Sequence, residues 1–263
     1  MRKGWNMAIR GLYVLPNADT QVDQSLFLAG RGMGKKVHAP VLVFLIRADE
    51  GNIIFDAGCD PDVISDAQKA WGNAAEYLSV SMKEEGDIRH YLRALNLTPE
   101  DIKYLVLSHL HIDHAGALRF FPHSQILVQE DEYRFACHPS GFAAANYRKA
   151  DFDYPHLNWK LLDGDFRLFP GATIVLSQGH SPGTQALVVD LPETGTVILA
   201  GDSIPLRRNV DKGILPGIVW NSDLAMKSIQ RLKVIAEERG GTIFPGHDVE
   251  QFQRLKKFPD YYR

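Results

Sequence analysis

The histidine-rich stretch that follows Leu107 is the strongest chemical feature of this sequence. Three imidazoles and a carboxylate lie within six positions of the run Ser108-His109-Leu110-His111-Ile112-Asp113-His114-Ala115-Gly116. Imidazole and carboxylate groups are common ligands of transition metals. A solvated polar loop would explain one histidine, but four potential ligands directly after a predicted buried strand indicate a metal site.

Three further segments repeat one pattern, in which a predicted strand is followed by a ligand-type residue beside glycine. They are Gly179-His180, Gly201-Asp202 and Gly246-His247, after strands that we predict to begin at Thr173, Thr196 and Thr242. Glycine allows close approach of backbone and ligand, and strand ends form rigid supports for polar sites. Each residue alone could belong to a turn, but together with the first cluster they favour one shared centre.

The elements around these residues must bring the side chains together. In extended backbone the side chains of His109 and His111 point to the same side, because the side-chain period of a strand is two. If a helix begins near Asp113, the side chains of Asp113 and His114 approach from its first turn at another angle. We therefore expect two groups of ligands that face one gap, with Gly116 leaving room there.

The composition is that of an ordinary globular protein, with 263 residues, 45% hydrophobic and 23% charged. The net charge of −3 provides no overall attraction to nucleic acid or anionic lipid. No apolar run approaches the ~20 residues of a membrane span, and we find no signal peptide. Two cysteines, Cys59 and Cys137, are expected to be reduced. These features predict a cytoplasmic protein without nucleic-acid or membrane partners.

The apolar pattern predicts an α/β protein of one domain, residues 1–263. Predicted strands cover residues 11–14, 40–47, 52–55, 104–107, 125–128, 173–176, 186–189, 196–200 and 242–244. Helices are expected from Asp87, over 130–138 and from Ser222 to a C-terminal glycine at Gly240. Residues 139–160 are expected to form an irregular loop over a site or an interface. The two groups of strands, each followed by helices, indicate two sheets packed face to face and covered by helices.

The order of these motifs resembles that of the metallo-β-lactamase-fold hydrolases. The match consists of HxHxDH, then His180, Asp202 and His247, together with FDAG at residues 55–58. It is closest to the quorum-quenching N-acyl homoserine lactonases and related γ-butyrolactone hydrolases, through SHLHIDHAG, YRKADFD from Tyr147 and GHDVEQF from Gly246. The resemblance implies a four-layer αβ/βα sandwich of two mixed sheets flanked by helices over the whole chain.

The resemblance also implies how the ligands divide between two ions. One divalent transition-metal ion would take His109, His111 and His180, and the other would take Asp113, His114 and His247, with Asp202 bridging both. Seven ligands exceed the four of a tetrahedral zinc ion but suit a pair of ions. Zinc is the expected metal, although nitrogen and oxygen ligands also suit manganese, iron or cobalt.

By the same resemblance, the reaction would be opening of the lactone ring of an N-acyl homoserine lactone. A hydroxide bridging the two ions would attack the carbonyl, since metal binding lowers the pKa of water toward ~7. Asp202 and Asp113 are the expected catalytic residues, and Asp113 could carry a proton to the leaving alkoxide. Asp56 is expected to orient a ligand.

Residues around the predicted centre raise three further questions. Tyr147 is the candidate substrate-binding residue, and Arg148 and Lys149 could contact substrate or form a solvated charge pair. Cys59 could line the site or be a small buried hydrophobe. Such lactonases usually carry a tyrosine three residues after the bridging aspartate, where this chain has Pro205. The missing hydroxyl would have to be supplied by another group, with Tyr147 the first candidate.

Other functions remain open beside the lactonase. The same fold could hydrolyse another ester, thioester or lactone, or the chain could be a non-catalytic metal-binding protein. Few residues follow His247 for the helical region of glyoxalase II-like thioesterases, and Asp202 argues against a true β-lactamase. The chain has no room for the flavin domain of a flavo-diiron oxidoreductase and no basic stripe for an RNA-processing nuclease. Residues 16–38 and 139–160 could mediate a homodimer.

Overall fold

The computed structural model describes residues 9–76 and 78–263. The prediction about a signal peptide depends on the N-terminal residues, of which 1–8 lie outside this part. The strands are β1 (Ile9–Asp23), β2 (Lys36–Ala48), β3 (Asn52–Phe55), β4 (Ser79–Ser81), β5 (Ile102–Val106), β6 (Gln125–Gln129), β7 (Asn158–Leu162), β8 (Phe166–Phe169), β9 (Ala172–Leu176), β10 (Gln185–Leu191), β11 (Gly195–Leu199) and β12 (Thr242–Phe244). The α-helices are α1 (Ala67–Trp71), α2 (Ile88–Ala94), α3 (Glu130–Cys137), α4 (Lys149–Phe152), α5 (Arg207–Lys212), α6 (Ser222–Arg239) and α7 (Val249–Arg254).

The described strands form two mixed sheets. Seven strands make the first sheet, in the order β4-β1-β2-β3-β5-β6-β7, and five make the second, in the order β12-β11-β10-β9-β8. In the first sheet β3, β5, β6 and β7 run parallel, while β1, β2 and β3 pair antiparallel. In the second sheet only β11 and β12 are parallel. The carboxyl ends of parallel strands, and the loops that follow them, therefore lie at the same edge of a sheet.

The three largest apolar clusters of the core form layers, with the helices outside and the sheets inside. The central layer joins the facing sides of both sheets, with Phe44 and Phe55 against Leu187 and Phe244. A second layer packs α2 and α3 on the first sheet, and a third packs α5 and α6 on the second. This confirms the predicted four-layer sandwich of two packed sheets flanked by helices.

Local sequence signals account for several element boundaries. The continuous apolar run of β2 is buried on both faces, as expected of a strand within a sandwich. The Asp87 side chain accepts a hydrogen bond from the Arg89 amide and begins α2. Helix α6 begins at the cap residue Asn221 and ends at Gly240, whose φ of 60° is the left-handed conformation that glycine tolerates.

Three predictions about elements were wrong, namely the extent of β1, the loop over 139–160 and a helix near Asp113, and two strands lie where no prediction was made. Strand β1 extends to Asp23 rather than ending at residue 14, because its polar second half pairs with β2 across a bulge at 16–18. Strand β7 and helix α4 interrupt the predicted loop 139–160, and β4 and β8 were not predicted. No helix begins near Asp113, where successive turns follow the strand instead. For β1, β4, β7 and β8, pairing with neighbouring strands outweighed the local pattern.

The lengths and the apolar character of the helices indicate whether any of them could cross a membrane. Across residues 9–76 and 78–263, no helix combines the length and the apolar character that crossing a bilayer would require.

Candidate metal centre

All seven predicted ligand side chains meet at one edge of the sandwich. Four of them follow β5 in the first sheet, at residues 109–114. The other three, His180, Asp202 and His247, follow β9, β11 and β12 of the second sheet. The side chains of the five histidines and Asp202 are buried, and Asp113 is the most exposed at 20%. The centre is therefore assembled across both sheets.

The ligand atoms form three overlapping groups, each with its atoms within 4.8 Å of one another. The groups are His109, His111 and His180; Asp113, His114 and His247; and His109, His114 and Asp202. The first two groups have the membership expected for two separate ions.

Asp202 lies between the two groups, with one carboxylate oxygen toward each. Its Oδ1 is 2.9 Å from His247 Nε2 and 3.5 Å from His114 Nε2. Its Oδ2 is 3.4 Å from His180 Nε2. This is the arrangement that a carboxylate bridging two cations requires.

Several buried atoms of the centre lack the hydrogen bonds that burial normally demands. His109 Nε2, His114 Nε2 and Asp202 Oδ1 have no hydrogen-bond partner within the described part of the chain. Such atoms cost about 1–3 kcal/mol each when they remain unpaired. The ligand atoms of these three residues lie within 4.8 Å of one another, so the donor set fits metal ions of the class that binds imidazole and carboxylate.

The outer nitrogens of the histidines fix which nitrogen faces the centre. His180 Nδ1 donates to the Ile218 carbonyl and His247 Nδ1 donates to the Pro40 carbonyl, both at 3.0 Å. Each Nε2 is therefore directed inward, and in the neutral imidazole it carries the lone pair that a metal ligand requires.

The histidines of the centre differ in the direction in which their pKa values are shifted. Burial and neighbouring imidazoles hold the pKa values of His109 and His111 well below the usual range, so both remain neutral ligands. Burial also lowers the pKa of His114, but Asp113, Asp56 and Asp202 more than offset it and raise it to about 10. The pKa of His247 is likewise raised, because Asp202 outweighs burial. The carboxylates thus favour positive charge at the second group.

Asp56 and Ser108 orient two of the ligands from behind. Asp56 Oδ2 is 2.8 Å from His114 Nδ1, and its Oδ1 accepts from the Ser108 amide. Ser108 Oγ lies 2.9 Å from His109 Nδ1. Asp56 has a φ of 59°, a strained conformation for a non-glycine residue, and strain of this kind concentrates at functional sites.

Glu132 in helix α3 supports both halves of the centre. This fully buried carboxylate accepts hydrogen bonds from the Leu110 amide, the Ser181 hydroxyl, the Gly183 amide and the Tyr147 hydroxyl. Leu110 lies between two ligands of the first sheet, and Ser181 follows a ligand of the second. Glu132 therefore links the two loops that carry His111 and His180.

Two glycines permit the close approach of chain segments around the ligands. A Cβ atom on Gly116 would lie 2.1 Å from the Asp60 amide nitrogen, and one on Gly246 would lie 2.7 Å from Asp202 Oδ1. A side chain at Gly246 would thus displace the bridging carboxylate. Gly116 leaves room for the backbone of Cys59 and Asp60, so its predicted role in the gap between the ligands stays a prediction.

A cleft with an inner and an outer part opens over the centre. The inner part, about 40 Å³, is lined by Asp113, Asp202, His247 and the apolar side chains of Phe27 and Trp71. The outer part, about 420 Å³, is lined mainly by apolar side chains, including Phe142 and Trp220. A small polar head beside the ligands and a longer apolar tail would fill this shape.

The orientation of the Tyr147 side chain does not match its suggested role as the hydroxyl donor that is missing at Pro205. Its ring lies 4.6 Å from the His111 ring and lines the outer cleft. Its hydroxyl, however, donates to Glu132 at 3.1 Å and is buried. The Tyr147 hydroxyl therefore does not replace the hydroxyl absent at Pro205.

Other residues singled out in the sequence lie away from the cleft. Cys59 is buried in an apolar cluster with Val41 and Val63 and forms no disulfide, so it is a small buried hydrophobe. Arg148 pairs with Asp60 and Asp151 rather than facing the cleft. Pro205 is buried, and its carbonyl accepts from the His247 amide, which helps to place that ligand.

Three residues at or beside the centre were not identified as functional from the sequence. Glu132 stands in the first turn of a helix beside Glu130 and Asp131, where acidic residues are ordinary, so no local signal separates it. Ser108 adjoins the histidine cluster, and its position directly before His109 was the only available signal. Trp71 lies far along the chain from the ligands, in a segment without a clear pattern.

Comparison with known families and structures agrees with this geometry. The profile of the Metallo-beta-lactamase superfamily matches residues 38–247. The N-acyl homoserine lactonase AttM of Azorhizobium caulinodans is 34% identical over 258 residues, which cover 95% of this chain and 98% of that protein. The N-acyl homoserine lactonase AiiA of Bacillus thuringiensis subsp. kurstaki is 32% identical over 256 residues, covering 97% and 100%.

A solved structure provides the same comparison in three dimensions. It is an N-acyl homoserine lactone hydrolase with the product N-hexanoyl-L-homoserine bound at its catalytic metal centre. The TM-score is 0.89 at 31% identity, and the match covers 97% of this chain and 100% of that one.

Proposed function

Since the chain belongs to the metallo-β-lactamase superfamily, we propose that it is a metal-dependent hydrolase that opens the lactone ring of N-acyl homoserine lactones. The observation that carries this proposal is the complete set of seven ligand side chains at one edge of two sheets. Relatives of more than 30% identity that span nearly the whole chain are lactonases of this kind. The family predicted from the motifs is thereby confirmed.

We assign the ligands as the motifs predict. His109, His111 and His180 would hold one ion, Asp113, His114 and His247 the other, and Asp202 would bridge them. When bound, two such ions lower the pKa of a water between them and polarise the substrate carbonyl. The nitrogen and oxygen donors suit zinc, which we propose as the native metal.

The residues of the chain have distinct tasks in ring opening. Water adds to the lactone carbonyl carbon, the ring C–O bond breaks, and the leaving alkoxide takes up a proton to yield a hydroxy acid. Asp113 is the most solvent-accessible carboxylate of the centre and faces the inner cleft, so we assign it the proton transfer. Asp56 and Ser108 hold the imidazoles of His114 and His109 in orientation.

The cleft supports the substrate class. The inner part is small and bordered by the ligands, which suits a lactone ring, while the outer part is apolar and suits an acyl chain. Tyr147 contributes its ring to the outer wall, and we retain it as a substrate-binding residue through that ring.

The remaining predictions extend this proposal. We propose a single domain over residues 1–263, supported by the antiparallel pairing of Tyr262 with Leu12, which ties the C-terminal residues to β1. A homodimer, a cytoplasmic location and the lack of nucleic-acid and membrane partners stay predictions from the sequence.

The test is a hydrolysis screen with metal-loaded protein. Ring opening is measured by the proton that it releases. We expect the turnover of N-hexanoyl homoserine lactone to exceed that of a thioester, a β-lactam and a phosphodiester. His109→Ala should abolish turnover, whereas the matched control His123→Ala, at an exposed position, should not. Faster turnover of the thioester, β-lactam or phosphodiester would contradict the proposed substrate.

A further inference from the structure

The indole of Trp71 has a buried N–H group whose purpose the fold does not explain. Trp71 ends helix α1 and is 4% exposed, and its Nε1 has no hydrogen-bond partner among the residues that the structure describes. Buried polar groups are nearly always paired, and each exception requires an explanation. A buried tryptophan normally finds an acceptor for its N–H.

The position of this tryptophan indicates what the missing acceptor is. Three of the other buried atoms without partners belong to His109, His114 and Asp202, where metal ions account for them. Trp71 lines the same inner cleft as Asp113 and Asp202. Trp71 therefore lies in the wall of the space that the reacting part of a substrate would occupy, and it carries an unpaired N–H group.

Other polar groups of the inner cleft are less suited to serve as a buried donor. The Thr20 hydroxyl donates to the Ala39 carbonyl. Asn146 is half-buried, so water can reach its amide. Outside the inner cleft, the Tyr147 hydroxyl donates to Glu132, and position 205 is proline. Among these groups Trp71 combines full burial with a donor that has no acceptor.

We propose that Trp71 Nε1–H donates a hydrogen bond to the N-acyl amide oxygen of the bound substrate, and this inference rests on the proposed lactonase function. The ring carbonyl is the group that the metal ions polarise. The amide oxygen enters the cleft beside the ring and would lose its hydration there. A donor at this point offsets that loss and selects lactones that carry an acylated amine.

The experiment compares two lactones in the metal-loaded enzyme. Trp71→Phe retains an aromatic ring and removes the N–H group. We expect kcat/KM for N-hexanoyl homoserine lactone to fall about tenfold, mainly through KM, because one hydrogen bond is lost. The value for γ-butyrolactone, which has no amide, should stay within twofold of the parent enzyme. Metal content should be unchanged.

Two further variants separate the hydrogen bond from packing. Replacing the indole of Trp71 by benzothiophene retains its shape without the N–H and should reproduce the selective loss. Trp159→Phe is the matched control, because Trp159 lies in β7 and packs on Tyr133 of α3, away from the cleft. It should leave both lactones unaffected.

The outcomes are distinct. An equal loss on both lactones, or no loss on either, overturns the assignment of Trp71 to the amide. A benzothiophene variant with parental selectivity also overturns it. Parent enzyme that holds two metal ions yet opens neither lactone contradicts the proposed function itself, and this is measured before any change at Trp71.

Discussion

Asp202 is the residue on which both groups of ligands depend. Its two oxygens face different groups, and its Oδ1 lies 2.9 Å from His247 Nε2. Asp202→Asn replaces one charged oxygen by an amide nitrogen without a lone pair, so we expect loss of metal from both positions. Asp113→Asn removes a ligand of one group alone. Elemental analysis should show fewer than one ion per chain in the first variant and more in the second.

The two aspartates should also differ in activity at equal metal content. With zinc in excess, Asp113→Asn should still lose about 10²-fold in kcat, because general acid catalysis is typically worth 10²–10⁴-fold. Asp62→Asn serves as a control, since its side chain is exposed at 71%. Full metal content in Asp202→Asn would contradict the assignment of Asp202 as the bridging ligand.

At this scale the sequence predicts residues whose chemistry is local and misses those whose role depends on tertiary neighbours. His109, His111, Asp113 and His114 share one short segment, so type and spacing suffice. The role of Trp71 depends on a cleft formed by distant chain segments, and no pattern near Trp71 reveals it.

Helix α3 acts on the centre through one side chain. Glu132 accepts four hydrogen bonds from the loops beside His111 and His180. Glu132→Gln places an amide donor where an acceptor is needed, so we expect the free energy of unfolding to fall by about 1–3 kcal/mol. Metal affinity should fall as well, because the two loops lose their link. Chemical denaturation and zinc titration measure the two effects.

The same helix provides the matched control for Glu132. Glu130 pairs with Arg134 on the exposed side of α3, and surface pairs at this spacing contribute about 0.3–0.5 kcal/mol. Glu130→Gln should therefore change stability by less than 0.5 kcal/mol and leave zinc affinity unaltered. Equal effects of the two substitutions would show that Glu132 has no special link to the centre.

The segment around α4 should make stability depend on pH. Asp151 is 2% exposed and pairs with Arg148, which also binds Asp60. Burial raises the pKa of Asp151 to about 7 despite Arg148. Between about pH 4 and pH 7 the folded chain therefore holds a proton that the unfolded chain has released, so this group lowers stability as pH rises through that window.

Asp151→Asn removes that titration. The free energy of unfolding of the variant, relative to the parent protein, should rise by about 2–4 kcal/mol between pH 4 and pH 8, since one pKa unit corresponds to about 1.4 kcal/mol. Urea denaturation at several pH values measures it. Asp153→Asn, at an exposed neighbouring position, is the matched control. A flat difference for Asp151→Asn would contradict the buried titration.

Strands were predicted correctly where burial on both faces produces a continuous apolar run in the sequence. Strands were missed where pairing with a neighbouring strand determines the structure. Strands β2, β5 and β6 are such runs. The second half of β1 contains Asn17, Asp19 and Gln21, and it is a strand because β2 pairs with it over its full length. The turns after His111 replace the predicted helix because the Gly116 amide binds the Gly58 carbonyl, which holds this segment against the loop after β3.

On the scale of the whole molecule, the centre joins two sheets that otherwise meet through apolar contacts and a few buried polar ones. One polar link is Gln185 of β10, whose side chain donates to the Leu107 and Leu127 carbonyls of the first sheet. The ligands that follow β5 and those that follow β9, β11 and β12 come from opposite sheets. Metal ions shared between them would therefore cross-link the sandwich at one end.

This cross-link predicts a large effect of metal removal on stability. His109 Nε2 has no hydrogen-bond partner among the described residues, so the folded chain without ions retains the desolvation cost of this atom. An ion present at a thousand times its Kd stabilises the folded state by about 4 kcal/mol. Since 1 kcal/mol shifts Tm by about 2–4 °C in proteins of this size, chelation should lower Tm by about 10 °C. Calorimetry before and after chelation, with restoration by zinc, measures this shift.

Hydrogen exchange locates the same effect within the fold. Chelation should lower protection of amides at the ends of β5, β9, β11 and β12, because these ends carry the ligands. The hairpin of β1 and β2 is held by a ladder that extends from Ile9 to Asp23 and should keep its protection. Uniform loss of protection over both regions would mean that the ions stabilise the whole fold evenly. Unchanged Tm after verified metal loss would mean that the centre does not connect the two sheets energetically.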